Sequence, residues 1–176
     1  MIVVEAAVEE DLPRILEIEH EAISPPWVHG ALLREMFREE SYFAVARHKA
    51  DGSDRNGKSG QPAGNGRVDR ETRPPLHGFV ILRKTSEDEG ELLQIAVDAA
   101  TRRRGVADLL MGAALVFAAG NSIRSVFLEV RESNKAAILL YEKHGFRAVR
   151  TRKDYYNSPA EDALVMAWTA NREVCG

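Results

Sequence analysis

Leu12, Ile15 and Leu16, followed by Glu19, recur at helical spacing, and Val28 to Arg38 forms a second short amphipathic stretch. Ser24-Pro25-Pro26 separates the two, because proline ends helices and pushes the residue before it toward extended backbone. Tyr42 to Ala46 reads as a strand. Strand signals resume from His77 to Leu82 and from Glu91 to Val97, with a polar turn at Thr85 to Gly90 between them. From Arg104 to Ala119 the spacing of Val106, Leu109, Leu110, Ala113 and Phe117 predicts a helix, and Val126 to Val130 a strand. Ser133 is placed to cap a helix running from Asn134 to His144, with Gly145 as its C-terminal stop. Arg147 to Arg152 and Ala163 to Trp168 read as closing strands, and no internal repeat is evident.

Residues 51–75 depart from this pattern. They hold eight of the chain's twenty Gly and Pro residues, and Ala63 and Val68 are their only aliphatic side chains. Such a stretch buries too little surface to offset its ordering entropy, which predicts a flexible insertion at about 49–75. The expected organisation is one domain over 1–170 with a short tail at 171–176. Within the insertion, Gly52 to Ser59 matches the phosphate-loop pattern GxxxxGK[ST] letter for letter. That motif works only when a strand feeds the loop and a helix leaves it. Here Gly60-Gln61-Pro62-Ala63-Gly64 follows, which cannot hold a helix, so the match is rejected as a coincidence of glycine-rich composition.

The chain's 176 residues, 44% apolar and 29% charged, suit one globular domain. No apolar run approaches the roughly 18 residues of a membrane helix. Met1 to Glu5 lacks the basic start and apolar stretch of a secretory signal, and the lone Cys175 cannot close an internal disulfide. A cytoplasmic location is expected. The net charge of −3 makes no case for nucleic acid. Residues 1–40 carry ten acidic and three basic side chains, a balance of −7, leaving +4 on the rest. A basic partner and ordinary solvated helix faces both account for that bias. His20, His29, His48, His77 and His144 show no metal-ligand spacing, and neither CxxC nor GxSxG occurs, so no metal is expected.

Arg102-Arg103-Arg104-Gly105-Val106-Ala107 lies between a strand and an apolar helix. Cations at a helix N-terminus oppose the macrodipole, so three of them there suggest an anion among them. Gly105 and Ala107 lack bulk, which lets a phosphate approach the free N–H groups of the first turn. A merely solvated basic turn is the competing explanation. The segment Val97 to Ala107 resembles motif A of the GNAT acetyltransferases, the R/Q-x-x-G-x-G/A loop that takes the acetyl-CoA pyrophosphate. Leu128-Glu129-Val130-Arg131-Glu132-Ser133-Asn134-Lys135-Ala136-Ala137 and Leu140-Tyr141-Glu142-Lys143-His144-Gly145-Phe146 are similar to that family's second block. Lys153-Asp154-Tyr155-Tyr156 and Glu161 to Met166 follow in the order of RimI-type protein N-terminal acetyltransferases, and Glu10-Asp11-Leu12, Ile18-Glu19 and Pro26-Trp27 fit the same subfamily. Ala99 stands where the family usually has proline, Ala107 where glycine is commoner, and the 51–75 insertion is unusual.

The resemblance implies an α/β (α+β) fold, a mixed and mostly antiparallel central sheet flanked by about four helices. It implies acetyl-CoA as co-substrate, Glu129 as general base and Tyr141 as the acid that protonates the CoA sulfur. Backbone groups of Ile95, Ala96 and Val97 would hold the pantetheine arm. Arg103, Arg104, Gly105, Val106, Ala107 and Asp108 would wrap the pyrophosphate, and Asn134 would contact CoA. Tyr155 and Tyr156 would line a peptide cleft, with plain strand packing as the alternative; Trp27 is a packing anchor or a substrate contact. Strand alternation sets Glu129 with Phe127 and Arg131, opposite Val126, Leu128 and Val130, and Asn134 and Tyr141, seven apart, share a helix face. The implied acceptor is a protein N-terminus, typically the N-terminal alanine of a small-subunit ribosomal protein. A small amine or a lysine side chain is the other enzymatic possibility, and a non-catalytic acyl-CoA-binding module a third. A monomer or weak dimer, with no nucleic-acid or membrane partner, is expected.

Overall fold

A computed structural model describes residues 1–23, 25–49 and 73–170. Most of the expected insertion, the phosphate-loop look-alike and the tail at 171–176 lie outside the described residues. Strands β1 (Ile2–Ala6), β2 (Ser41–His48), β3 (Leu76–Lys84), β4 (Glu89–Val97), β5 (Ser125–Arg131), β6 (Arg147–Asn157) and β7 (Ala160–Thr169) form one sheet in the order β1-β2-β3-β4-β5-β7-β6. Helices α1 (Leu12–Ala22), α2 (His29–Met36), α3 (Val106–Gly120) and α4 (Lys135–Lys143) complete it. Every neighbouring pair is antiparallel except β4 and β5, which run parallel. The expected mixed, mostly antiparallel sheet with four helices is the fold observed.

Two cores sit on opposite faces of this sheet, and strand alternation sorts side chains between them. Ala44, Ala46, Val80 and Leu82 join Val106, Leu110, Met111 and Ala114 of α3 in one cluster. Phe43, Val45, Phe79 and Ile81 join Leu12, Ile15, Ile18 of α1 and Leu32 of α2 in the other. This double covering explains why β3 is buried continuously from Leu76 to Leu82. Gly78 sits where β3, β4 and α3 meet. A Cβ there would lie 2.6 Å from the Ala96 carbonyl oxygen and 3.1 Å from Leu110 Cδ1. Gly78→Ala is therefore expected to destabilise the fold by about 1–3 kcal/mol, the scale of overpacking in a tight core. Denaturant unfolding reads this as a lower midpoint with an unchanged slope.

Three local expectations are corrected. β1 was not anticipated; its five residues IVVEA show no alternation, and it owes its conformation to pairing along β2, from Ile2↔His48 to Ala6↔Ala44. In α3 the predicted stripe is rotated: Leu109 is 46% exposed, while Met111, Ala114 and Ala118 are buried. That helix is apolar on nearly every side, so periodicity alone leaves its inward face undefined. The cap of α4 is Asn134, whose Oδ1 accepts from the Ala137 N–H at 3.2 Å. Ser133 instead donates its backbone N–H to the Glu161 carboxylate at 2.6 Å, which holds it outside the helix.

Candidate active site

β4 and β5 pair only at Glu89↔Ser125, Gly90↔Val126 and Glu91↔Phe127. Beyond that point each keeps its outer partner: β4 pairs with β3 as far as Val97, and β5 with β7 as far as Arg131. The two strands therefore splay and leave a wedge in the middle of the sheet. Its walls are the facing edges of Leu92–Val97 and Leu128–Arg131, where no ladder pairs join the strands. Such an edge offers backbone N–H and C=O groups to a ligand, as a sheet edge offers them to another strand. Ile95, Ala96 and Val97 lie along one wall.

At the mouth of the wedge the chain turns into α3. The Asp98 carboxylate accepts from the Ala100 N–H at 2.9 Å and is paired with Arg14, which fixes the turn. Arg103 and Gly105 both adopt left-handed backbone, at φ 60° and 78°. Gly105 is the N-cap of α3, and a Cβ built on it would meet nothing within 4 Å, so open space faces the helix start. Val97, Arg102, Arg103, Gly105, Val106, Ala107 and Asp108 line a pocket of about 130 Å³ there. The first-turn N–H groups have no intrahelical partner, and cations surround them. This fits a pyrophosphate. Arg104 does not line the pocket; Arg102 does, and its Nε donates to the Val97 carbonyl at 3.2 Å. The Asp108 carboxylate is committed elsewhere, to Lys143 Nζ at 2.7 Å and His144 Nε2 at 3.0 Å. The Lys143 ammonium, with the His144 ring, holds it below the usual carboxylate range. Asp108 thus offers an anion its N–H, while its side chain ties the start of α3 to the end of α4.

Glu129 projects from the splayed half of β5, with Val126, Leu128 and Val130 buried on the other face as strand alternation requires. Its carboxylate is ion-paired with Arg152 of β6, and the Tyr155 phenol lies beside it. The Glu129 carboxylate beside it, together with burial, pushes the Tyr155 phenol up to about 12. The Arg152 guanidinium stacks 4.2 Å from the Tyr155 ring centre, and Arg131 lies 4.1 Å from that of Tyr156. Tyr155 and Tyr156 meet edge-on, their ring centres 5.0 Å apart.

Tyr141 is held by the end of its own helix. Gly145, at φ 91°, ends α4 in a Schellman motif: the Phe146 N–H donates to the Tyr141 carbonyl and the Gly145 N–H to the Glu142 carbonyl, each at 3.0 Å. The hydrophobic contact that accompanies the motif is Tyr141 against Phe146, with ring centres 5.9 Å apart. Burial raises the Tyr141 phenol well above its ordinary value, and Tyr156 is close enough to add to the shift. The phenol therefore stays protonated at neutral pH. Glu129, Tyr141, Tyr155 and Tyr156 thus come together beside the wedge, whereas the Asn134 Oδ1 is committed to its cap. Trp27 donates its backbone N–H to buried Glu19 at 2.8 Å, so its main chain is anchored. Arg152 is the site residue that sequence reasoning missed, and Arg102, expected only as one of three cations, lines the pocket where Arg104 was expected. Both stand next to the motifs, but only the fold shows which arginines turn inward. Among the described residues no group of three or more His, Cys, Asp or Glu could hold a metal ion, and no helix is long and apolar enough to cross a membrane.

A splayed parallel strand pair with an anion cradle at the following helix defines a class, and the chain belongs to the acetyltransferase (GNAT) family, whose family model matches residues 12–146. It is an acetyl-CoA-dependent N-acetyltransferase. The chain is 30% identical to the ribosomal protein bS18-alanine N-acetyltransferase of Haemophilus ducreyi, over 93% of its own length and 97% of the relative's. The crystal structure of the ribosomal-protein-S18-alanine N-acetyltransferase from Escherichia coli matches with a TM-score of 0.73 at 25% identity, covering 99% of both chains. Arabidopsis thaliana NAA60, solved in complex with acetyl-CoA, shares the fold with a TM-score of 0.76 at 21% identity, over 97% of this chain and 99% of that one.

Proposed function

We propose that this protein acetylates the α-amine of a protein N-terminus, with the N-terminal alanine of a small-subunit ribosomal protein as its acceptor. The observation that carries the proposal is the meeting of a carboxylate, a buried phenol and two exposed-edge tyrosines beside the wedge. The amine nitrogen attacks the thioester carbonyl carbon, Glu129 takes the amine's proton directly or through a water, the carbon–sulfur bond breaks, and Tyr141 protonates the departing thiolate. Arg102, Arg103 and the N–H groups of Gly105, Val106, Ala107 and Asp108 bind the pyrophosphate. The edge of Ile95, Ala96 and Val97 binds the pantetheine arm, and Asn134 contacts CoA through the amide nitrogen its cap leaves over. Tyr155 and Tyr156 line the peptide cleft. The identity to the Haemophilus ducreyi enzyme, spread over nearly the full length of both chains, supports the ribosomal acceptor.

Proton affinity decides which amine suits such a site. An α-amine has a pKa near 7.7–8.0 and a lysine near 10.4, so at pH 7 about a tenth of the former is already nucleophilic and only a few ten-thousandths of the latter. The protein acts in the cytoplasm, as a monomer or weak dimer. Peptides that differ only at residue one test the assignment. The expected kcat/KM is highest for alanine or serine; equal rates across the panel, or turnover of small amines alone, would contradict it.

A further inference from the structure

The carboxylate proposed as general base is already occupied. Arg152 donates from Nη1 to Glu129 Oε1, and the Tyr155 phenol lies beside the same carboxylate. An uninterrupted strand would send Arg152 and Tyr155 to opposite faces, because they are three residues apart. β6 is interrupted at this point. Arg152 pairs with Ala163 and Tyr156 with Glu161, so Lys153, Asp154 and Tyr155 together stand opposite Asp162 alone. Asp154 takes left-handed backbone at φ 50°, its N–H donates to Asp162 Oδ1 at 2.9 Å, and Lys153 pairs with Asp162 Oδ2. The bulge re-aims the strand so that both side chains reach Glu129, a recurrent use of bulges next to active sites.

Arg152 remains 44% exposed at its side chain while Glu129 is 21% exposed. An ion pair so open to solvent is worth little and exchanges readily. Arginine also cannot give up its proton, so it occupies the carboxylate without reacting. We propose that Arg152 is a latch: its guanidinium holds the position on Glu129 that the amine of the acceptor must take, and the arriving amine, donating its N–H to the carboxylate, displaces it. The latch rests on the amine-transfer function above. It keeps the base from activating water against a bound thioester when no acceptor is present. In that side reaction the water oxygen would attack the carbonyl carbon, its proton would pass to Glu129, the carbon–sulfur bond would break, and Tyr141 would protonate the thiolate to leave acetate and CoA. Arg152 is thus a positioning residue that couples the base to the arrival of an amine.

Arg152→Gln removes the cation and keeps a polar side chain on an exposed strand, and Arg152→Lys restores a cation. Release of CoA thiol from acetyl-CoA, followed without any peptide, is expected to rise by about tenfold or more in Arg152→Gln. It should return to the wild-type rate in Arg152→Lys and fall to background when Glu129→Gln is added. With an alanine-starting peptide, KM in Arg152→Gln is expected to drop by about twofold to fivefold, the scale of an exposed ion pair. A residue that only braced the hairpin would raise KM and leave thiol release unchanged, and that result overturns the latch. The peptide-free measurement decides the latch even if no protein amine proves to be an acceptor, an outcome that would overturn the proposed function instead.

Discussion

Glu129→Gln is expected to lower kcat by about 10²–10⁴-fold, the range over which a positioned general base contributes. The substitution is nearly isosteric and keeps an oxygen that accepts from Arg152, so what it removes is the capacity to take a proton. The pyrophosphate cradle at Arg102 to Asp108 lies on the connection into α3, away from β5, so acetyl-CoA affinity should stay within about twofold, as for distant, independent sites. Steady-state kinetics beside calorimetric titration of acetyl-CoA separate the two quantities. Equal losses in both would mean that Glu129 organises the site rather than serving as its base.

Tyr141→Phe carries the second large effect, a fall in kcat of about 10²-fold or more, because the thiolate then leaves without a proton donor. The variant should fold normally. The Schellman bonds at the end of α4 are made by main-chain atoms, and a phenyl ring keeps the contact with Phe146. The pH dependence follows from two protonation states with opposite requirements. The acceptor must be deprotonated, so kcat/KM rises as pH passes the α-amine pKa near 8. The donor must be protonated, and burial has raised the Tyr141 phenol, so its loss lies above pH 10, the ordinary tyrosine value. The expected profile climbs to about pH 8 and is then flat to about pH 10. A fall near pH 9 would contradict Tyr141 as the acid.

Much of this architecture was legible in the sequence because strong local rules coincided. Gly145 predicted the end of α4 and stands there in left-handed backbone, and the alternation around Glu129 predicted which side chains are buried. Expectations failed where tertiary contacts choose between equivalent local options. Ser133 and Asn134 are both good caps, and the pull of Glu161 on the Ser133 N–H decides between them. The apolar residues of α3 could face inward in several ways, and the sheet selects Met111 and Ala114 over Leu109. The bulge at Lys153 to Tyr155 has no compositional mark, since neither glycine nor proline interrupts those residues. Arg152 therefore could not be assigned to Glu129 from strand alternation. The splay of β4 from β5 was not read from the sequence, because a register that stops after three pairs leaves no trace in periodicity.

The central claim is transfer to the α-nitrogen of a protein N-terminus. A peptide beginning with alanine and carrying one internal lysine, incubated with acetyl-CoA and mapped by tandem mass spectrometry, tests it most directly, with an α-blocked copy alongside. Forty-two mass units on the α-nitrogen of the free peptide alone, the mass of an added acetyl group, is the predicted result. An acetyl group on the lysine of both peptides, or on neither peptide while acetyl-CoA still binds, would contradict it.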